Sequence, residues 1–437
     1  MTMQNDFEEQ YKNKLCTAEE IAELVESGCG IYIDAPISQP REIMRAIGER
    51  AERGDIHGLS MNTLLDVYPA AWFDGKCVGS INGVSWFSGS AGRRGVNAGF
   101  VDVMPAYYRD MPRVIRDNPY INCVCAAVSS MDRHGYFSLA ATSSCTAELL
   151  SRADKIYLEV NKNLPRTLTA PLIHVSRATA ICESDYRLPV TGSAELDEVS
   201  AAIGRYIAEE TPDGATIQLG IGAVPDAVGL ALKTKRGLGI HTELFTDSMV
   251  ELIECGAVTN LRKPINTGRS VATFAFGSQR VYDYINDNPS VMILPVDYVN
   301  EPKIIALHPN FISVNAAIEV DFYGQVCAES VGTRHISGTG GQVDYVRGAV
   351  ESSGGKSFIA FPSTTDGGKV SRIVPTLKSG AIVTTSKNDV DRVVTEYGIA
   401  ELRGRTLSQR TKALISVAHP KFRDELTFSA KKENIII

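Results

Sequence analysis

Residues 218–260 read QLGIGAVPDAVGLALKTKRGLGIHTELFTDSMVELIECGAVTN. A short apolar segment, 216–219, runs into Gly220-Ile221-Gly222, then Pro225 and a helical pattern reaching Leu232. A second β-like segment, 238–242, stops at Glu243, and another helical pattern, 248–255, is closed by Gly256. Twice a strand feeds a tight turn and a helix, the repeating unit of α/β folds. In open sheets of that class, ligands bind beyond the carboxyl ends of the strands. Residues 220–224 and Glu243 both fall at such ends. The pattern predicts a glycine turn offering backbone N–H groups near a carboxylate that can react.

Outward from this stretch the same alternation continues. Thr17-Ala-Glu-Glu20 forms a capping box for a helix through Val25. A buried strand at 31–34 follows, then an amphipathic helix over 42–53 behind Pro40. Residues 56–99 mix apolar pieces with Gly, Ser and Asn, and short strands and loops are expected there. The run 121–128 has the continuous apolar character of a buried parallel strand. Helix is predicted over 143–153, strand over 155–160 and 173–175, and a long amphipathic helix over 195–207. Further strands are expected at 291–295, 311–315, 318–321 and 381–384. A chain of 437 residues exceeds what one hydrophobic core supports, so two α/β domains are expected, 1–190 and 191–437.

Bulk composition narrows the function. The net charge of −7 argues against a nucleic-acid partner, which draws on excess Lys and Arg. No apolar run has the length of a membrane helix, and the acidic start lacks the apolar core of a secretory signal. Nine cysteines scattered through the chain suit reduced thiols in a cytoplasm.

Several motifs fail on spacing. Gly355-Lys356-Ser357 lacks the upstream glycine of a phosphate-binding loop, because Val350 stands there. Gly220-x-Gly222 is followed by Pro225, not by the third glycine of a dinucleotide fingerprint. Cys123-x-Cys125 lies inside an apolar run and reads as core, so no metal site is expected. The remaining signals are the turn at 220–224, a second glycine loop at 338–341, Glu243, and Asn315 within an apolar strand. A buried amide there needs a partner, structural or catalytic.

Taken together the motifs SMDRHGYFSL (130–139), EVNKNLPRT (159–167), QLGIGAVPDAV (218–228), HTELFTDSMVELIECGAVTN (241–260), VNAAIEVDFYGQVCAES (314–330) and SGTGGQVDYVRGA (337–349) resemble the coenzyme A transferase family, in its acetate, butyrate and 4-hydroxybutyrate branch. The resemblance spans most of the chain. It implies two open α/β domains of the CoA-transferase type with the active site in the interdomain cleft. It also implies transfer of CoA from an acyl-CoA to a free short-chain carboxylate, by a ping-pong route through a covalent glutamyl-CoA thioester. Glu243 inherits the nucleophile's place. Gly220, Ile221, Gly222, Ala223 and Val224 match the CoA-binding turn, and Gly338 and Gly341 the second glycine loop. Asn315, with Gly341, matches the oxyanion support, and Lys369 a CoA-contacting position. No resident cofactor or metal is implied; the partners are acyl-CoA and carboxylate, in a homodimer or homotetramer.

Two departures bear on the acyl pocket: Ala275 stands where a larger residue is expected, and 327–330 (CAES) lacks the usual asparagine. Alternatives are an acyl-CoA hydrolase on the same fold, or a transferase for dicarboxylates such as succinate or itaconate served by Arg93, Arg94 or Arg334. Glu319 is the rival nucleophile.

Overall fold

The computed structural model describes residues 3–192 and 196–436. Two compact units divide the chain: Met1–Thr191 with Val271–Val299, and Gly192–Ser270 with Asn300–Ile437. The expected division at 190/191 is a single cut, whereas the compact units also group Val271–Val299 with the first. That segment is tied to the first unit through its backbone: the Ser143 N–H donates to the Thr273 carbonyl, and the Val296 N–H to the Ser144 carbonyl.

The first unit is built on a parallel sheet of seven strands: Gly30–Ile33 (β1), Leu59–Leu64 (β2), Ile81–Phe87 (β3), Val101–Val103 (β4), Ile121–Val128 (β5), Lys155–Asn161 (β6) and Ala180–Ser184 (β7). Their order is β4-β3-β2-β1-β5-β6-β7. β5, INCVCAAV, is buried along nearly its whole length, as a parallel strand covered on both faces must be. Cys123 and Cys125 are fully buried in it, as core residues. The helices Ala18–Leu24 (α1) and Arg41–Glu52 (α2) appear as expected, the first with both halves of its Thr17/Glu20 capping box. Residues 56–99 hold more order than anticipated. Besides β2 and β3 they carry a helix, Ser90–Ala98 (α3), whose SAGRRGVNA sequence has weak helical propensity. Its glycines are used for contact: a Cβ on Gly92 would lie 2.2 Å from Asp66 Oδ2, and one on Gly95 2.7 Å from Val101.

The second unit carries Glu198–Glu210 (α4), Thr216–Leu219 (β8), Ala223–Leu232 (α5), Gly239–Ile240 (β9), Asp247–Glu254 (α6), Ile312–Asn315 (β10), Gln342–Glu351 (α7), Lys356–Ala360 (β11), Arg392–Thr395 (β12) and Gly398–Glu401 (β13). Its sheet runs β9-β8-β10-β11-β12-β13, parallel except for the last pair. The expected start of α4 at Glu195 lies outside the described residues. The strand predicted over 238–242 is regular only at Gly239–Ile240, and 381–384 forms no strand: Ile382 and Val383 are exposed, and pairing is limited to Thr385 with Val326.

α5 is seated by two glycine contacts. A Cβ on Gly204 of α4 would stand 2.7 Å from the Ala227 carbonyl oxygen, and one on Gly229 2.9 Å from the Ser248 Cβ. Without side chains at those points, α4, α5 and α6 approach closely and fix where α5 begins. Among the described residues no helix is long and apolar enough to cross a membrane, and no cluster of three His, Cys, Asp or Glu side chains could hold a metal ion.

Candidate active site

Glu243 lies just past β9, on the turn His241-Thr242-Glu243. Thr242 Oγ1 donates to the carbonyls of Leu219 and Leu244, which pins this turn to the end of β8. The Glu243 carboxylate is held from two directions. Asn300 Nδ2 donates to Oε2 at 2.8 Å, and the backbone N–H of Gly341 donates to the carboxylate. Gly341 is the N-cap of α7, so the positive end of that helix faces the acid as well. Contact at this point is close: a Cβ on Gly341 would lie 1.9 Å from Glu243 Oε2 and 2.2 Å from Asn300 Nδ2.

Asn300 is fully buried, and its amide also reaches Asp344 Oδ2 at 3.5 Å. Burial pushes the Glu243 carboxyl up to about 7, while the Asn300 and Gly341 hydrogen bonds pull in the opposite direction by favouring the ionised form. The Tyr345 hydroxyl, buried beside Glu243 and Asp344, is pushed well above its ordinary value by burial first and those charges second. A carboxylate poised near neutrality, oriented by two donors, is suited to act as a nucleophile.

A further buried group anchors the strand leading to Glu243. Lys263 Nζ donates to the carbonyls of Ile240 and Arg269, at 2.8 and 2.7 Å. Its stem crosses Gly239, where a Cβ would lie 2.7 Å from Lys263 Cγ.

The turn at 220–224 sits on the neighbouring strand end. Gly222 has φ +111°, and neither Gly220 nor Gly222 would meet anything nearer than 3.8 Å with a Cβ added. Their freedom is thus not spent on internal packing. Gly222 and Ile221 are exposed, Ala223 begins α5, and Val224 is buried behind it. The loop at 338–341 leads directly into α7, with Gly340 at φ +59° and Gly338 buried. Lys369 is exposed on a hairpin that follows β11, formed by Thr364–Thr365 and Val370–Ser371.

Asn315 ends β10, but its Nδ2 is committed to Ser313 Oγ at 2.8 Å and Gln218 Oε1 at 3.4 Å. The amide touching Glu243 is Asn300. It was not visible in the sequence because Asn300-Glu-Pro302 reads as a helix start, and Glu301 does cap the short helix Pro302–Ala306. Glu319 is buried and accepts the Lys378 N–H at 2.9 Å, a structural commitment. Arg334 is exposed, and Arg94 lies 4.0 Å from Asp74 at the surface.

A carboxylate oriented by an amide and a helix N-cap, near an open glycine turn, is placed to act on a ligand at the carboxyl ends of the strands. Known proteins are similar to nearly the whole chain. The acetyl-CoA hydrolase/transferase N-terminal domain family matches residues 1–192, and the acetyl-CoA hydrolase/transferase C-terminal domain family matches residues 277–430. A succinyl-CoA:cyclohexane-1-carboxylate CoA transferase of Geobacter metallireducens is 43% identical, over 98% of both chains. The chain belongs to the CoA-transferase family.

Within that family, a 4-hydroxybutyrate coenzyme A transferase of Clostridium kluyveri is 40% identical, over 98% of this chain and 99% of its own. The crystal structure of RipA from Yersinia pestis superposes with a TM-score of 0.92 at 37% identity, covering 98% of this CoA-transferase and all of RipA. The two-domain α/β fold expected from the resemblance is thereby established.

Proposed function

We propose that this CoA-transferase moves CoA from an acyl-CoA to a free short-chain carboxylate, with Glu243 as the covalent nucleophile. The observation that carries the reading is the Glu243 carboxylate itself, raised to about 7 by burial yet held by Asn300 and the Gly341 N–H beside an open glycine turn. Ionised Glu243 attacks the thioester carbonyl; the C–S bond breaks, CoA leaves as thiolate, and an acyl–glutamyl anhydride remains. The thiolate then attacks the glutamyl carbonyl, the anhydride C–O bond breaks, and the first acid departs as carboxylate. The enzyme is left as glutamyl-CoA thioester. A second carboxylate runs the two steps in reverse and leaves as the new acyl-CoA. Each attack builds an oxyanion, and one well-placed donor to such a centre is worth ~10²–10³ in rate. Asn300 and the Gly341 N–H are the donors at hand.

Acetate, butyrate and 4-hydroxybutyrate are the acids of this reading, the last supported by the Clostridium relative; succinyl-CoA enters as a donor through the Geobacter one. The enzyme works as a cytoplasmic homodimer or homotetramer without a resident cofactor. Incubation with an acyl-CoA, borohydride reduction and peptide mapping test the scheme. The peptide containing position 243 is expected to carry its side-chain carboxyl reduced to a primary alcohol, with CoA released as thiol. Its recovery unmodified while turnover proceeds sinks the assignment. A hydrolase on the same fold is told apart by thioester loss that is as fast without an acceptor acid as with one.

A further inference from the structure

Arg372 stands where the hairpin after β11 returns to the body of the second unit. Its backbone is fixed on both sides: the N–H donates to the Ser363 carbonyl at 2.9 Å, and the carbonyl accepts the Val320 N–H at 2.8 Å. The side chain is half-buried, yet no hydrogen bond or ion pair engages its guanidinium among the described residues. Its close acidic neighbour is Glu396, and both Glu396 oxygens already accept from Ser363, from the N–H at 2.8 Å and from Oγ at 2.5 Å. Burial lowers the guanidinium's hold on its charge, with Glu396 opposing. Nearby arginines are satisfied differently: Arg347 makes a two-pronged pair with Asp389, and Arg392 pairs with Asp391 and Glu401. A partly desolvated guanidinium with its planar fork open is built for an oxyanion, phosphate above all.

Its place in the sheet says whose phosphate. Glu243 follows β9, the turn at 220–222 follows β8, Asn315 ends β10, and Ser363 with its hairpin follows β11, all at carboxyl ends of parallel strands. From β9 to β11 is three strand steps, roughly 14 Å at ~4.8 Å each. A pantetheine arm with its sulfur at Glu243, crossing the open Gly220–Gly222 backbone, brings the phosphate end of CoA to the β11 hairpin.

We infer that Arg372 binds a phosphate of coenzyme A, pyrophosphate or 3′-phosphate, and so anchors the nucleotide end of the substrate, with the exposed Lys369 of the same hairpin as a second charge. The inference rests on the CoA-transferase reading above.

The test is Arg372→Gln, assayed with acyl-CoA, acyl-dephospho-CoA and an acyl-pantetheine thioester, together with calorimetric titration of CoA alone. The KM for acyl-CoA is expected to rise about tenfold or more, as loss of a charge-assisted bidentate contact implies, with kcat little changed. Turnover of acyl-pantetheine is expected to match that of the parent protein, which also shows that the variant folds. A defect that persists on acyl-dephospho-CoA assigns the contact to the pyrophosphate; one that vanishes assigns it to the 3′-phosphate. Equal losses on acyl-CoA and acyl-pantetheine, or CoA binding as tight as in the parent, overturn the proposal. Parent protein that binds CoA but exchanges no acyl group refutes the transferase reading and leaves the Arg372 site standing.

Discussion

A single methyl group probes the Glu243 site at the scale of one residue. Gly341 has φ −100°, which alanine adopts without strain, so Gly341→Ala acts through space alone. Its Cβ would fall on Glu243 Oε2 and Asn300 Nδ2. The carboxylate and its amide must then separate, and kcat is expected to fall ~10²-fold or more while the melting temperature changes little. Asn300→Ala tests the other donor. Its hydrogen bond favours ionised Glu243, so its loss should raise the Glu243 pKa further. In the parent enzyme the acid limb of the kcat/KM profile is expected near pH 7, activity rising with pH as the carboxylate ionises. In Asn300→Ala that limb should move to higher pH, with a rate at pH 7 lower by ~10²-fold. An unmoved limb would mean that another group titrates. Asn300 also marks the limit of sequence reading at this scale. An asparagine ahead of a Pro-initiated helix looks like a cap, and only the fold reveals that it meets a side chain 57 positions away. Asn315, the more conspicuous amide, turns out to serve Ser313 and Gln218.

Among the elements, α5 connects packing to function. It starts at the glycine turn, and its position is set by α4 through Gly204 and by α6 through Gly229 and Ser248. Gly204→Ala would place a methyl 2.7 Å from the Ala227 carbonyl oxygen and push α5 outward. A cost of about 1–3 kcal/mol in unfolding free energy is expected, as for other overpacked contacts. If the turn binds CoA, the KM for acyl-CoA should rise as well, because Gly222 moves with its helix; unchanged KM in a destabilised variant would separate the turn from substrate binding. Elements like β8 were legible because local signals agreed: an apolar run, a glycine stop, a helical period. α3 was not, because SAGRRGVNA owes its helix to what its glycines touch, Asp66 and Val101, which local sequence does not encode. The reverse error occurred at 381–384, where apolar Ile382 and Val383 suggested a strand but stand exposed.

At the scale of the whole molecule, alternation of strand and helix announced two α/β units, whereas the return of Val271–Val299 to the first had no local mark. Its β-like and helical pieces would suit either unit; long-range pairing decides, such as Ser143 with Thr273. Chemistry imposes a cost on global stability that can be measured. Glu243 binds its proton with a pKa of about 7 in the folded chain against 4.5 when unfolded. Below pH 4.5 both states are protonated and the group is neutral in the balance. As pH rises through 4.5 the unfolded chain releases the proton first, so folding stability falls progressively until the folded group ionises near pH 7. Above that the deficit is constant, on the order of 3 kcal/mol. Glu243→Gln removes the charge and retains a carbonyl oxygen for the Asn300 and Gly341 donors. The variant is therefore expected to be inactive yet to melt several degrees above the parent at pH 8, with the two curves converging below pH 5. Parallel curves across that range would show that the Glu243 carboxyl is not held away from its ordinary titration, and the poised nucleophile would have to be sought elsewhere.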